Sequence, residues 1–313
     1  MTDKEVYQSR KTGHRFFYGY VVVITAFFVM AVSWGAYNTF GVFFDPLLEE
    51  FGWTRAATSS AFSLAFLLNG FLGIPMGGIT DRFGSRVLLT ISGILLALGY
   101  VLMSQISTIG QMYLFYGVII GVGMGGVYIP ILSTVARWFV KRRSTMTGIV
   151  LAGLAAGTFI MPPVINWLIY TYDWRTAFIV VGVLVLVVVV IAAQFLRGDP
   201  RKIKQLADGK DLSGQGLELV RGGFSLRESI RARQFWLLFI MLFCVAFYTF
   251  VITVHIVPHA TDIGISATIA ANILATFGGL SIVGRVLSGF VADRIGNRKV
   301  IIICFALMLV SSF

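Results

Sequence analysis

Gly77-Gly-Ile-Thr-Asp81-Arg82-Phe-Gly84-Ser-Arg86 recurs 212 residues later as Gly289-Phe-Val-Ala-Asp293-Arg294-Ile-Gly296-Asn-Arg298, with the Gly, Asp, Arg, Gly and Arg positions kept. Each copy closes the second long apolar segment of a run of such segments. An even number of segments separates the copies, so the two halves of the chain have parallel topology. Repeats of this kind, related by an axis along the membrane normal, mark one large class of transporters.

Working outward from the two loops, apolar segments predict helices at 16–44, 56–79, 87–104, 110–136, 145–170, 175–196, 234–260, 266–292 and from 300 onward. The six that precede residue 200 are each near or above the roughly 18–20 residues that cross a bilayer. Of 313 residues, 57% are hydrophobic and 12% charged, against about 25% charged in a soluble domain. No soluble core can hide so many helices that are apolar all round. The first segment is too long for the h-region of a signal peptide, and it reads as a retained membrane helix. Cys244 and Cys304 fall in such helices and read as buried small hydrophobes.

The formal net charge is +11, but its distribution excludes a nucleic-acid reading. With the N-terminus cytoplasmic, the tail and the loops on that side hold 22 of the 25 Lys/Arg. Only Arg55 and Arg175 fall on the other side, and Arg285 lies inside a helix. This is the positive-inside pattern. It predicts a multi-pass protein of the cell (inner or plasma) membrane with its N-terminus cytoplasmic; a monomer is expected.

The expected organisation is a cytoplasmic tail at 1–15, a six-helix bundle at 16–196, a linker at 197–233 and a partial second bundle at 234–313. The linker is rich in Gly and charge. Near its end, Ser225 and Glu228 form a capping box, predicting a short helix that carries Arg227, Arg231 and Arg233 either towards lipid phosphates or merely to enforce topology. By the repeat, the second half should also have six helices. The sequence stops inside what would be its third, and it reads as truncated.

The two loops resemble the signature of the major facilitator superfamily, G-x-x-x-D-R-x-G-x-R. Gly41-Val-Phe-Phe-Asp-Pro-Leu-Leu-Glu-Glu-Phe-Gly-Trp53, Trp138-Phe-Val-Lys-Arg-Arg143 with Gly148 and Ala152-Gly153, Val257-Pro-His-Ala260 and the helix holding Arg285 resemble the monocarboxylate and oxalate/formate transporter families. The resemblance implies an all-α membrane protein of the major facilitator fold, and transport of a small organic anion, a mono- or dicarboxylate. Two positions depart from the proton-coupled animal carriers. Asn38 stands where they place a lysine in the first helix. Ser281 stands where they place an aspartate one turn before the arginine. Both weaken the case for proton-coupled symport.

Arg285 is the sharpest candidate for substrate binding. A mid-membrane arginine costs roughly 2.5–3.5 kcal/mol on insertion scales, and all 14 Asp/Glu fall in tails, loops or helix ends. Its planar fork suits a carboxylate; the alternative is a structural arginine held by carbonyls or another helix. Ser281 shares its face one turn earlier. Tyr248 and His255 follow a helical stripe, the first able to close over a substrate and the second able to titrate near neutral pH. Tyr37, Asn38, Asn69 and Tyr128 are polar in apolar settings, and each either lines the path or bonds helices together. The 212 offset maps Asn69 onto Ser281.

The signature residues Gly77, Asp81, Arg82, Gly84 and Arg86, with Gly289, Asp293, Arg294, Gly296 and Arg298, are expected to gate. Asp81 can accept from a helix N-terminus or pair with Arg137 or Arg142, tying the bundles together on the cytoplasmic side. Gly117, Gly121 and Gly125 predict close helix packing, as does Gly153-x-x-x-Gly157; Pro162-Pro163 should kink or loosen the outer end of its helix. Gly121-Val-Gly-Met-Gly-Gly126 matches G-x-G-x-x-G, but no strand precedes it, so a dinucleotide site is rejected. No metal-ligand spacing and no hydrolase motif is present, so neither a cofactor nor an enzymatic reaction is expected. Within the same superfamily, a drug or metabolite exporter is the nearest rival to an anion carrier. A non-transporting membrane receptor is a rival from another class.

Overall fold

A computed structural model of the chain describes residues 17–198, 226–265 and 267–311. Among the described residues six helices are long and apolar enough to cross a membrane: α1 (Gly19–Phe51), α2 (Arg55–Phe83), α3 (Ser85–Met103), α4 (Ile109–Trp138), α5 (Arg143–Thr171) and α6 (Trp174–Phe195). The second half contributes the short α7 (Leu226–Arg231), then α8 (Arg233–Asp262), α9 (Ala267–Ile295) and α10 (Asn297–Ser311). Among the described residues there is no strand, as an apolar solvent demands of a chain with no closed barrel.

The boundaries follow local chemistry. The Thr54 hydroxyl caps α2 by accepting from the Ala57 amide. Thr108 and Gln111 form a reciprocal capping box at the start of α4. Asp173 caps α6 through the Thr176 amide. The repeated loop folds twice in the same way. Gly84 and Gly296 have φ of 86° and 90°, a conformation that strains any residue with a Cβ. Their amides reach back to Thr80 O at 2.8 Å and Ala292 O at 3.0 Å. Ser225 lies outside the described residues, as do the N-terminal tail and most of the linker; α7 begins one residue after it.

Two spans are not uniform helices. α1 is interrupted at Thr39, whose hydroxyl donates to Ala36 O at 2.6 Å. α4 is π-helical over Tyr113–Ile120 and loosens again at Gly126 and Val127. By contrast, α5 runs unbroken through Pro162 and Pro163.

The glycines set the packing. On α4, a Cβ at Gly117, Gly121 or Gly125 would lie 2.8, 2.9 or 2.9 Å from Leu64, Ala65 or Leu72 of α2. On α5, a Cβ at Gly153 would lie 2.4 Å from Phe27 O of α1, and one at Gly157 would lie 1.9 Å from Ala31 O. Backbones that touch gain dispersion contacts where apolar burial drives little, because lipid is as apolar as the core. An aromatic column of Tyr37, Phe40, Phe62 and Tyr116 fills the middle of the first half, with Phe43 stacked on Phe178 at 3.8 Å.

The cysteines depart from expectation. Cys244 on α8 and Cys304 on α10 are both exposed, because these two helices have few packed neighbours among the described residues.

Gly157→Ala should therefore force α1 and α5 apart and cost about 1–3 kcal/mol or more, read as a lower thermal midpoint in detergent. Gly73→Ala, whose Cβ would meet nothing within 4 Å, should leave the midpoint unchanged or slightly raised.

Candidate functional site

The site is built where α9 crosses α5. A Cβ at Gly148 would lie 2.4 Å from Arg285 O, and one at Gly289 would lie 2.5 Å from Ser144 O. Two glycines facing opposite ways thus let the two halves of the chain meet backbone to backbone. This crossing places Arg285. It stands ten residues before the end of α9, about 15 Å along the axis. The helix runs on from the expected end at 292 through Asp293 and Arg294 to Ile295.

Arg285 is half-buried, and among the described residues no carboxylate pairs with it. It is close enough to Tyr128 of α4 for the two to interact electrostatically. Tyr128 stands ten residues from the same end of its own span, at matching depth. The guanidinium therefore faces the first half of the chain. Beside Tyr128 stands Trp34 of α1, ring centroids 6.2 Å apart and edge-on. Trp34 escaped the sequence reading because tryptophan is unremarkable in a membrane helix. Its signal was present: it lies one turn before Asn38 and shares its face.

The other expected residues divide. Asn38 is exposed, and its amide donates to Thr158 Oγ1 of α5 at 3.0 Å. Asn69 is half-buried where Gly125 brings α4 against its backbone. Ser281 donates to Gly278 O of its own helix at 2.7 Å. For Tyr37 the sequence left two roles open, lining the path or joining helices. Its side chain is 0% exposed and its ring packs between Phe62 and Tyr116, so it belongs to the interior of the first half and lines no open path. The residue after it turns the opposite way, which is how Asn38 reaches the surface that Tyr37 misses. Tyr248 is half-buried on α8. His255 lies in the helical backbone of α8, and its side chain falls outside the described residues.

The two signature aspartates do different things. Asp293 caps α5 from the other half: Oδ1 accepts from the Ser144 amide at 2.9 Å and Oδ2 from the Thr145 amide at 2.7 Å. These amides are orphan donors of the first turn of α5, whose own cap residue, Arg142, offers no side-chain bond. A carboxylate here also meets the positive end of the helix dipole. Ser144 Oγ donates to Asn297 Oδ1 at 3.1 Å. Asp81 instead pairs with Arg137 at 2.5 Å, within the first half. The contact between halves that the sequence assigned to Asp81 is thus made, in this chain, by its repeat. Arg86 binds Gln194 of α6, and Arg82 and Arg294 lie over the rings of Phe83 and Phe290. A Cβ at Gly77 would meet Ile129 at 3.9 Å, in ordinary contact, and Arg298 is exposed.

At the far end, Arg175 pairs with Glu50 at 2.7 Å and Arg55 lies 3.9 Å from Asp45. The two basic residues there are both met by acids, so the charge asymmetry between the ends persists in the folded chain.

Comparison with known proteins fits this architecture. A family model described as Major Facilitator Superfamily matches residues 26–313. The chain is 31% identical over 282 residues to Monocarboxylate transporter 13 of Bos taurus, covering 89% of this chain and 62% of that protein. It is 25% identical over 298 residues to the Oxalate:formate antiporter of Oxalobacter formigenes, covering 94% and 67%. The chain thus spans about three-fifths of the length of the first of these relatives. Among solved structures it is similar to the proton:xylose symporter XylE, with a TM-score of 0.65 at 15% identity over 89% of this chain and 70% of that one. A bacterial homolog of the human lysosomal transporter Spinster gives a TM-score of 0.60 at 19% identity over 90% and 64%. At such identities these structures attest the fold alone.

The cap by Asp293 is worth about 0.5–2 kcal/mol by analogy with helix caps. Asp293→Ala should lengthen and broaden the distance between spin labels placed at Val140 and Lys299. Asn297→Ala, losing only the bond from Ser144 Oγ, should change it less. An unaltered distribution in Asp293→Ala would mean that the cap does not hold the halves together.

Proposed function

This chain belongs to the Major Facilitator Superfamily, and from that premise we propose that it carries a small organic anion, a mono- or dicarboxylate, across a cell membrane by alternating access. One observation carries the reading. Arg285 sits at mid-depth on the face of α9 turned to the first half, with no protein carboxylate to neutralise it among the described residues. A guanidinium so placed needs a counter-charge, and a cargo carboxylate supplies one through paired hydrogen bonds. Two relatives named for monocarboxylate and for oxalate and formate support the same chemistry.

In this reading Arg285 holds the carboxylate, and Tyr128 stands beside it as a neutral hydroxyl donor. Asn38 and Asn69 line the path on the first half, with Ser281, Tyr248 and His255 on the second. The end bearing both signature loops faces the cytoplasm, because the Lys/Arg excess lies there. Capping of α5 by Asp293 closes that end and favours an outward-facing state, which cargo binding releases. No aspartate or glutamate lies at mid-depth among the described residues, and Asn38 and Ser281 are uncharged. Anion exchange or uniport therefore needs no further group, whereas proton symport would need His255 or a group outside the described residues.

Arg285→Ala in the full-length protein should lower the apparent affinity for a labelled carboxylate about 10- to 150-fold, the equivalent of losing a charge-assisted hydrogen bond of about 1.5–3 kcal/mol. Arg285→Lys should recover part of it. Undiminished anion uptake by Arg285→Ala would sink the binding role. Cation efflux without anion uptake would make the protein an exporter. Ligand binding without movement into vesicles would make it a receptor.

A further inference from the structure

The interior of the first half holds polar groups that the central site does not use. On α1, Ser33 and Tyr37 lie one turn apart at 1% and 0% exposure, and Tyr100 of α3 and Tyr116 of α4 are each 1% exposed. Tyr116 is satisfied, since its hydroxyl donates to Tyr37 O at 2.9 Å beside the break in α1. The hydroxyls of Ser33, Tyr37, Thr58 and Tyr100 and the indole N–H of Trp34 have no hydrogen-bond partner among the described residues. The Tyr37 and Tyr116 rings are nearly parallel at 6.2 Å. Tyr37, Tyr100 and Tyr116 are close enough together to interact electrostatically.

A hydroxyl both donates and accepts, and native proteins pair the large majority of those they bury. Four unpaired hydroxyls and one unpaired indole N–H in one apolar bundle call for an occupant. The buried polar residues described are all serine or threonine, apart from the tyrosines themselves. Nothing there would neutralise a metal ion or a charged ligand. Water matches such a set, because it donates and accepts and needs two to four polar partners.

We propose that the first half encloses a second polar site, between α1, α3 and α4, holding ordered water that bridges the hydroxyls of Tyr37 and Tyr100, with Ser33 as a third partner. The site lies behind the anion-binding wall. Trp34 packs on Tyr37 at 5.8 Å and on Tyr128 at 6.2 Å, so one aromatic layer separates the water from the groups beside Arg285. A water bridge tolerates small displacements that a direct hydrogen bond does not, so α1 can shift at its Thr39 break without stranding a buried hydroxyl. The site stands whether or not the cargo is an anion.

X-ray radiolytic labelling of the full-length protein in detergent tests this, because water held beside a buried side chain is radiolysed in place and tags it. Tyr37 and Tyr100 should be labelled severalfold faster than Phe43 and Phe178, which are equally buried and stack on each other. Equal rates would overturn the proposal. Tyr37→Phe and Tyr100→Phe should each lower the thermal midpoint, and the double variant should lose less than the two shifts together. Additive or absent shifts would mean that the hydroxyls share no water.

Discussion

A guanidinium keeps its charge in any protein environment, so in a bilayer it must be given a counter-ion, carbonyls or water. Arg285 is held away from the lipid surface by the meeting of two backbones at Gly148 and Gly289, and it looks toward Tyr128 across the division between halves. The same crossing brings the end of α9 to the start of α5, where Asp293 completes the first turn of a helix that lacks its own cap. In the proposed function, cargo site and closure thus share one helix pair. A movement that separates α5 from α9 at the basic end also changes what surrounds the arginine.

The repeated loop gives the same fold twice but not the same contacts. Gly84 and Gly296 turn the chain with matching positive φ and matching reach-back bonds. Backbone geometry is therefore local to the motif. The partner of each aspartate is not local. Asp81 meets Arg137 and Asp293 meets two free amides, because a carboxylate takes the strongest donor that packing brings within reach.

The first half combines tight and loose interiors. Where glycines let backbones touch, little can move without lost contact. Around the break of α1 and the π-helical turn of α4, buried hydroxyls outnumber their protein partners. Irregular backbone at membrane depth is tolerated where protein or water satisfies it, and Tyr116 does so for the carbonyl of Tyr37.

The sequence by itself determined the membrane class, the parallel repeat, the glycine stripes and the isolation of Arg285 from acidic residues. Those properties follow from hydropathy, from the rarity of charge in a bilayer and from glycine's missing Cβ, all of which act residue by residue. Only the tertiary structure decided that Tyr37 turns inward while Asn38 turns outward, that Trp34 stands beside Tyr128, and that Asp293 rather than Asp81 joins the halves. Each of those depends on helix rotation and crossing. Rotating a helix by the 100° between neighbouring residues exchanges a core side chain for an exposed one without changing a letter.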